Sequence, residues 1–440
     1  MIRCKKKDVF DIITTLYIVI LLGYILISNV RRLYGLDSIL NYSNDLIYFG
    51  VVGLIIYIVS KIFRTFRFNL YDLLILLLVV FGIISTLFAI DVNASLFGFA
   101  GRYEGLFQIM TYYILFLNCK NIGEDKLAKI LVWLIIFVGV IHAFYGILQF
   151  FDIEYVFGYE IIRNRYYSTG FEVNPNFYGS LMMIALSLSM TIYFLKENKI
   201  ISILTLLTTS VIFMGFLCSG CMSVAVSLFF LIILLVIIFC ILKLDFKKTL
   251  IKGLLLIICF VASYLSFNKY DNGYYMFQIG KTTSEIGKTL NGDMNGIYGS
   301  GRIHIWTETL RVVPKNLLTG VGIDNFYYAF GKRNLIDIKS RLVVDKAHNE
   351  YLQKLITEGI FSCGAYLTLI FMIFIKSIIK IIKNKKNYNY GHIALFLCFT
   401  TYCIQAFFNI SVISVAPIFY IVMGMLCSFN KDVKYEEVNH

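Results

Sequence analysis

Apolar runs about as long as a bilayer is thick recur along this chain, separated by polar connections of which two are long. Twelve can be drawn: 11–28, 46–60, 70–90, 105–118, 128–150, 176–195, 200–217, 222–242, 252–267, 349–375, 391–408 and 411–428. A helix rises 1.5 Å per residue, so about 20 residues cross a hydrocarbon core roughly 30 Å thick. The pattern predicts an all-α integral membrane protein of about 12 transmembrane helices, a multi-span arrangement rather than a barrel. Composition agrees: 59% of the 440 residues are hydrophobic and 15% charged. Soluble domains run at roughly 45–50% and 25%.

Charge gives the runs a direction. "RCKKK" precedes the first run, and Lys61, Arg64, Arg67, Lys120 and Lys126, "KENK", "KLDFKKTLIK" and "KSIIKIIKNKK" fall on one side of the predicted spans. The positive-inside rule makes that side cytoplasmic and puts both termini there. The net charge of +13 is largely this asymmetry, so it does not call for nucleic acid. The first run lacks a small-residue cleavage site and is followed by "NVRRLYG", so it is expected to be a retained span. No internal repeat is evident, and residues 1–440 read as one polytopic membrane domain. Ten cysteines, mostly within the runs, suit apolar packing. The "CSGC" at Cys218–Cys221 has redox spacing but no thioredoxin-like surroundings.

The candidate chemistry lies in the other set of connections. The large extracytoplasmic loop expected between spans 9 and 10, residues 268–347, holds eleven Lys and Arg against seven Asp and Glu. A basic surface beside the bilayer suits a lipid phosphate or an acidic glycan. In "GSGRIHIWTETLRVVPKN" a helix is predicted from about Ile303 to Val313, stopped by Pro314, with Arg302, Trp306 and Thr309 near one face. An arginine there can grip two phosphate oxygens at once. Trp306 also suits an interfacial anchor. In "NRYYSTGFEVNPNFYG", Asn174 and Pro175 mark a helix start, where Asn176 and the nearby amides can face a ligand or simply cap. "GRYEGLFQ" sets Arg102 and Glu104 at the mouth of another span.

"DKAHNEYLQKLITEGI", residues 345–360, is polar where a span should begin. His348 is predicted in the first turn of a continuous helix of about 28 residues, roughly 42 Å long, sharing a face with Leu352, Leu355 and Gly359. Glu350, Lys354 and Glu358 then lie elsewhere on that helix. A helix N-terminus attracts phosphate and disfavours a protonated imidazole, so a neutral His348 beside a bound phosphate can act as a base.

These stretches together resemble the O-antigen ligase and O-antigen polymerase superfamily of bacterial glycan assembly. "GRYEG", "RYYST" followed by "NPNFYG", "GRIHIW" with "VVPKNLLTGVG", and "AHNEYLQKLITEGI" stand in that family's order over roughly residues 100–375. The resemblance implies a metal-independent inverting glycosyltransferase without cofactors, in the bacterial cytoplasmic membrane and working on its outer face. Its donor would be a glycan on undecaprenyl pyrophosphate, and its acceptor a glycan, a lipid or a wall polymer. By matching positions, His348 would take the acceptor's proton, while Arg302 and Arg165 would hold the pyrophosphate; Arg163 is the alternative to Arg165. Arg102 is a further candidate for that group, and Asn349, Asn174, Asn176 and Trp306 are supporting candidates. The family's pattern of His, Asn, nine residues and Gly is met by His348, Asn349 and Gly359. Ser362 departs from the usual small residue or tyrosine, and "CMSVAV" lacks an arginine that many members carry. The other class of function is a flippase or exporter for lipid-linked oligosaccharide, which would need charges buried along a midplane pathway. Few are found inside the runs.

Overall fold

The computed structural model describes residues 2–64, 68–123, 125–156, 159–160, 162, 167–293, 295–331, 335–336 and 343–430, without the side chains of 2–8, 125, 156 and 159. The helices among them are α1 (Ile2–Leu33), α2 (Ile39–Phe63), α3 (Leu70–Leu87), α4 (Val92–Phe97), α5 (Leu106–Lys120), α6 (Asp125–Phe150), α7 (Pro175–Leu195), α8 (Lys199–Ser219), α9 (Met222–Leu242), α10 (Phe246–Asp271), α11 (Tyr274–Leu290), α12 (Arg302–Val312), α13 (Glu350–Lys383), α14 (Tyr390–Ala406) and α15 (Ala416–Phe429). A two-residue hairpin pairs Tyr155–Val156 with Tyr159–Glu160. Among the described residues, nine helices are long and apolar enough to cross a membrane.

Each predicted span corresponds to a helix, but three are short: α5 has 15 residues, α14 has 17 and α15 has 14. α15 begins only at Ala416, with Pro417 in its first turn, where a missing N–H costs nothing. α14 and α15 are buried along almost their whole length and pack on α7 and α5, so their neighbours rather than lipid surround them.

α7 is the centre of the bundle, buried through nearly all of its span and packed on α6, α8, α9 and α14. Small residues allow this closeness. A Cβ added at Gly146 of α6 or Gly215 of α8 would lie 2.2 Å or 2.6 Å from the Tyr178 hydroxyl of α7. Local signals set the ends: Asn69 and Asp72 form a reciprocal capping box on α3, and Asn174, followed by Pro175, caps α7.

The loop after α10 has its own order. α10 continues to Asp271, α11 follows directly, and α12 ends at Val312 in a 3-10 turn containing Pro314. Ile305, Val313, Val321, Phe326 and Val344 form a small core separate from that of the bundle, joined by Ile356 of α13. α12 therefore stands on a folded platform rather than lying free on the bilayer.

The expectation of one continuous helix beginning at His348 is corrected. Asn349 is the N-cap, the helix starts at Glu350, and the path breaks at Gly359, where φ is 80° and ψ 177°. Only glycine adopts that conformation readily. Backbone from the preceding loop fills the break: the Val321 and Gly322 N–H groups donate to the Ile356 and Thr357 carbonyls at 3.0 Å each, and the Ile360 N–H donates to the Leu317 carbonyl at 2.8 Å. The Ser85 hydroxyl adds a bond to the Thr357 carbonyl at 2.6 Å. The orphan groups of a helix end are thus satisfied inside the protein.

A Cβ at Gly359 would stand 2.3 Å from the Leu318 carbonyl oxygen as well as forcing an L-residue into that backbone region. Gly359→Ala is expected to destabilise by about 2–4 kcal/mol. Gly364→Ala, where a Cβ meets nothing within 4 Å, should be near neutral. Thermal unfolding of the two purified variants checks this, and equal transition temperatures would refute it.

Candidate functional site

His348 sits one residue before the N-cap of α13, partly exposed, with φ of 52°. That left-handed conformation costs an L-residue roughly 1–2 kcal/mol, so the flanking backbone has to impose it. Both flanks are tied. The Ala347 carbonyl accepts from Trp306 Nε1 at 3.0 Å, and the Ala347 N–H donates to Gln353 Oε1 at 2.8 Å. Asn349 Oδ1 accepts from the Tyr351 and Leu352 N–H groups at 3.0 Å each. Trp306 itself packs against Phe407, with ring centroids 5.5 Å apart. Its indole therefore fixes the histidine loop.

Helix α12 links this loop to a second group of the expected residues. Arg302, one turn before Trp306, opens α12, and its Nη1 donates to the Gly299 carbonyl at 3.0 Å. Burial pushes the Cys221 thiol up, and the nearby Arg302 guanidinium works against that rise. Cys221 Sγ in turn donates to Asn176 Oδ1 at 3.1 Å, one residue past Pro175 and beside the cap Asn174. Arg302, Asn174 and Asn176 thus gather where α7, α9 and α12 begin. Arg165 and its alternative Arg163 lie outside the described residues.

Arg102 is committed to a two-pronged ion pair with Asp345, Nε to Oδ2 at 2.6 Å and Nη2 to Oδ1 at 3.1 Å. Burial opposes the Asp345 charge, but Arg102 outweighs it and holds the carboxyl below its ordinary value of 3.8. The pair anchors the chain three residues ahead of His348.

Below these residues is a buried charge network that the sequence reading did not assemble. Lys346 reaches Asp324 at 2.6 Å and Glu104 at 3.2 Å. Burial works against its ammonium, and the Asp324 and Glu104 carboxylates raise it above the usual lysine value. Asp324 Oδ2 also accepts from the Phe99 N–H at 2.7 Å, and Glu104 Oε1 accepts from Tyr112 at 3.1 Å and Ser411 at 2.8 Å. On α13, Lys354 pairs with Glu358 at 2.7 Å, Glu358 accepts from Ser362 at 2.7 Å, and Glu350 accepts from Tyr366 at 2.7 Å. A cavity of about 60 Å³ among them admits groups the size of water, not a sugar.

Of the network, the four-residue spacings of Lys354, Glu358 and Ser362 are local, whereas Glu104 and Lys346 are 242 positions apart. Among the described residues, no group of three His, Cys, Asp or Glu is arranged to hold a metal ion.

Lys346→Met leaves two buried carboxylates without their cation and is expected to cost about 3–5 kcal/mol, whereas adding Asp324→Asn to it should recover part of the loss. Denaturation of the single and double variants measures both. For the exposed-edge pair the sign follows from the lowered Asp345 carboxyl: its contribution is complete above pH 3.8 and is lost as pH falls further. The gap in transition temperature between wild type and Asp345→Asn should be constant from neutral pH down to that point and close below it. No curated protein matches the chain. Residues 209–367, from within α8 through α12 and His348 to beyond the Gly359 break, match the family model described as O-antigen ligase, which supports the O-antigen ligase and polymerase superfamily as the one this chain resembles.

Proposed function

We propose that this multi-pass membrane protein is an inverting glycosyltransferase that moves a glycan from undecaprenyl pyrophosphate to an acceptor at the outer face of the cytoplasmic membrane. The family match over residues 209–367 supports a ligase- or polymerase-type enzyme. The observation that carries the finer reading is the clamp on His348: three side chains, Trp306, Gln353 and Asn349, hold its flanks in a strained backbone conformation. Strain over-determined by its surroundings is typical of groups placed for chemistry.

In this reading the acceptor hydroxyl attacks the anomeric carbon from the face opposite the leaving group. The bond from that carbon to the pyrophosphate oxygen breaks, and the configuration inverts. The hydroxyl proton passes to the neutral His348 imidazole, and negative charge grows on the departing undecaprenyl pyrophosphate. Arg302 meets that charge with a bidentate grip, aided by Arg165 and by the positive ends of α7 and α12. The reaction is proposed to need no metal, since arginine supplies the cationic charge. Arg102, engaged with Asp345, takes the part of holding the loop.

The large loop and the N-terminus of α13 would face outward, with both chain termini cytoplasmic. The basic connections at the opposite end of the bundle support that orientation. Transport of the same lipid is less well supported, because the buried ion pairs of the network cluster at the loop end.

Purified protein incubated with short lipid-linked repeat units should consume donor. A ladder of multiples without added acceptor marks a polymerase; consumption only after an acceptor is added marks a ligase. His348→Ala is expected to slow transfer by about 10²–10⁴-fold with donor binding largely kept. Arg302→Ala should weaken donor binding as well. Unchanged turnover in the His348 variant would remove the base assignment, and lipid movement across a bilayer without transfer would favour the exporter.

A further inference from the structure

The chain between α12 and Asp324 does not stay above the bundle, and α3 measures how far down it goes. Leu70–Leu87 is 18 residues long. At 1.5 Å per residue that is about 27 Å, close to the roughly 30 Å of the hydrocarbon core, so α3 residues short of Leu87 lie within that thickness. Ser85, just inside this end, donates to the Thr357 carbonyl at 2.6 Å. Gly82 lies about 7 Å further in than Leu87 along the helix. A Cβ added there would stand 3.4 Å from Ile323 Cδ1. On α13, which runs into the bundle from its loop end, the Ile360 N–H beyond Thr357 donates to the Leu317 carbonyl at 2.8 Å. Leu317 and Ile323 therefore both stand at the level of the spans.

Backbone at that depth needs partners other than water. Pro314 has no N–H to satisfy. The Gly320 N–H donates to the Asn316 carbonyl at 2.9 Å, while those of Val321 and Gly322 donate to carbonyls that the break in α13 leaves open. With its main chain turned to α13, the segment leaves Leu318 65% exposed. Apolar surface of two spans flanks that side chain. Phe361, just past the break, is 53% exposed and stacks on Phe81 of α3 with ring centroids 5.3 Å apart, and Leu87 at the end of α3 is exposed as well. A leucine in water gains nothing from this placement, whereas one among acyl chains continues the lipid-facing surface on both sides of it. We propose that residues 314–323 form a re-entrant loop whose tip, Leu317 and Leu318, is immersed in the acyl chains of the leaflet on the loop side. The tip follows directly on the 3-10 turn that ends α12, so it anchors in the bilayer the helix that Arg302 opens. This inference does not rest on the proposed transfer reaction.

The test uses the full-length protein in vesicles of phosphatidylcholine and phosphatidylglycerol. Leu318 or, as a reference, Ile258 of α10, which is 64% exposed, is replaced by the photo-crosslinking residue p-benzoylphenylalanine. After illumination, mass spectrometry should find acyl-chain adducts at both positions. Adducts at 258 with none at 318 overturn the proposal. Adducts at 318 confined to headgroups place the tip at the bilayer surface and overturn its immersion, and a crosslinked dimer assigns it to a second copy of the chain instead. Leu318→Asp sets a charge where the acyl chains would be. Its thermal transition in the same vesicles should fall below that of the wild type, and that of Leu318→Phe should not. An unchanged transition in Leu318→Asp would mean that the tip is in water.

Discussion

The seal between residues 317–322 and the break in α13 is the contact on which the loop end of this protein depends. A helix that stops at Gly359 exposes carbonyls on one side and an amide on the other, and none has water to turn to inside the bundle. Val321, Gly322 and Leu317 supply the missing partners from the loop backbone. Because these are main-chain bonds, they fix the loop relative to the helix in register as well as distance. Gly320 and Gly359 make the approach possible: a Cβ on Gly320 would come within 2.2 Å of the Thr357 carbonyl. The platform that carries α12 is set by that join, and with it the height of Arg302 and Trp306 over the mouth of the bundle.

A second layer of constraint is electrostatic. Lys346 brings Glu104, from the turn before α5, together with Asp324, from the loop, while Arg102 holds Asp345, the residue before Lys346. Buried ion pairs of this sort add little net stability compared with apolar packing, but any alternative arrangement that separates them is heavily penalised. Their effect is to allow one position for the chain that leads into His348. Trp306 and Gln353 then complete the task at Ala347, and Asn349 begins the helix. The strained φ of His348 is the outcome of these bonds rather than a preference of histidine.

The pattern of His, Asn, nine residues and Gly gains a physical meaning from this arrangement. It spans one short helix, with its cap at Asn349 and its terminating break at Gly359. Glu350, Lys354 and Glu358 look out of place in a stretch that opens a membrane span. They are in fact the inward face of that short helix: Lys354 donates to Glu358 and to Tyr113 of α5, while Glu358 and Glu350 accept from Ser362 and Tyr366 beyond the break. The reading that placed His348 within the helix was wrong by two residues, and the difference matters: it lies ahead of the helix on a clamped turn, not on the helix surface.

Signals carried by neighbouring residues survived the passage from sequence to structure. Apolar runs located the nine helices that, among the described residues, are long and apolar enough to cross a membrane, since burial from water or exposure to lipid demands them whatever the packing. Asn174 with Pro175, and Pro314 after α12, set helix ends because caps and missing amides act within a turn. The basic connections, and the residues from Arg302 to Gly359 that carry the family resemblance, were legible for the same reason. Only tertiary structure decided that Gly359 is a break and not a helical glycine, since both are open to glycine and the amides and carbonyl of the loop backbone choose between them. It also decided that Arg102 faces Asp345, that Trp306 serves the histidine loop, and that Lys346 unites two acids from distant segments. Hydrophobic patterning and capping act over a few residues, whereas the partners of a buried charge are fixed only when segments more than 200 positions apart have packed.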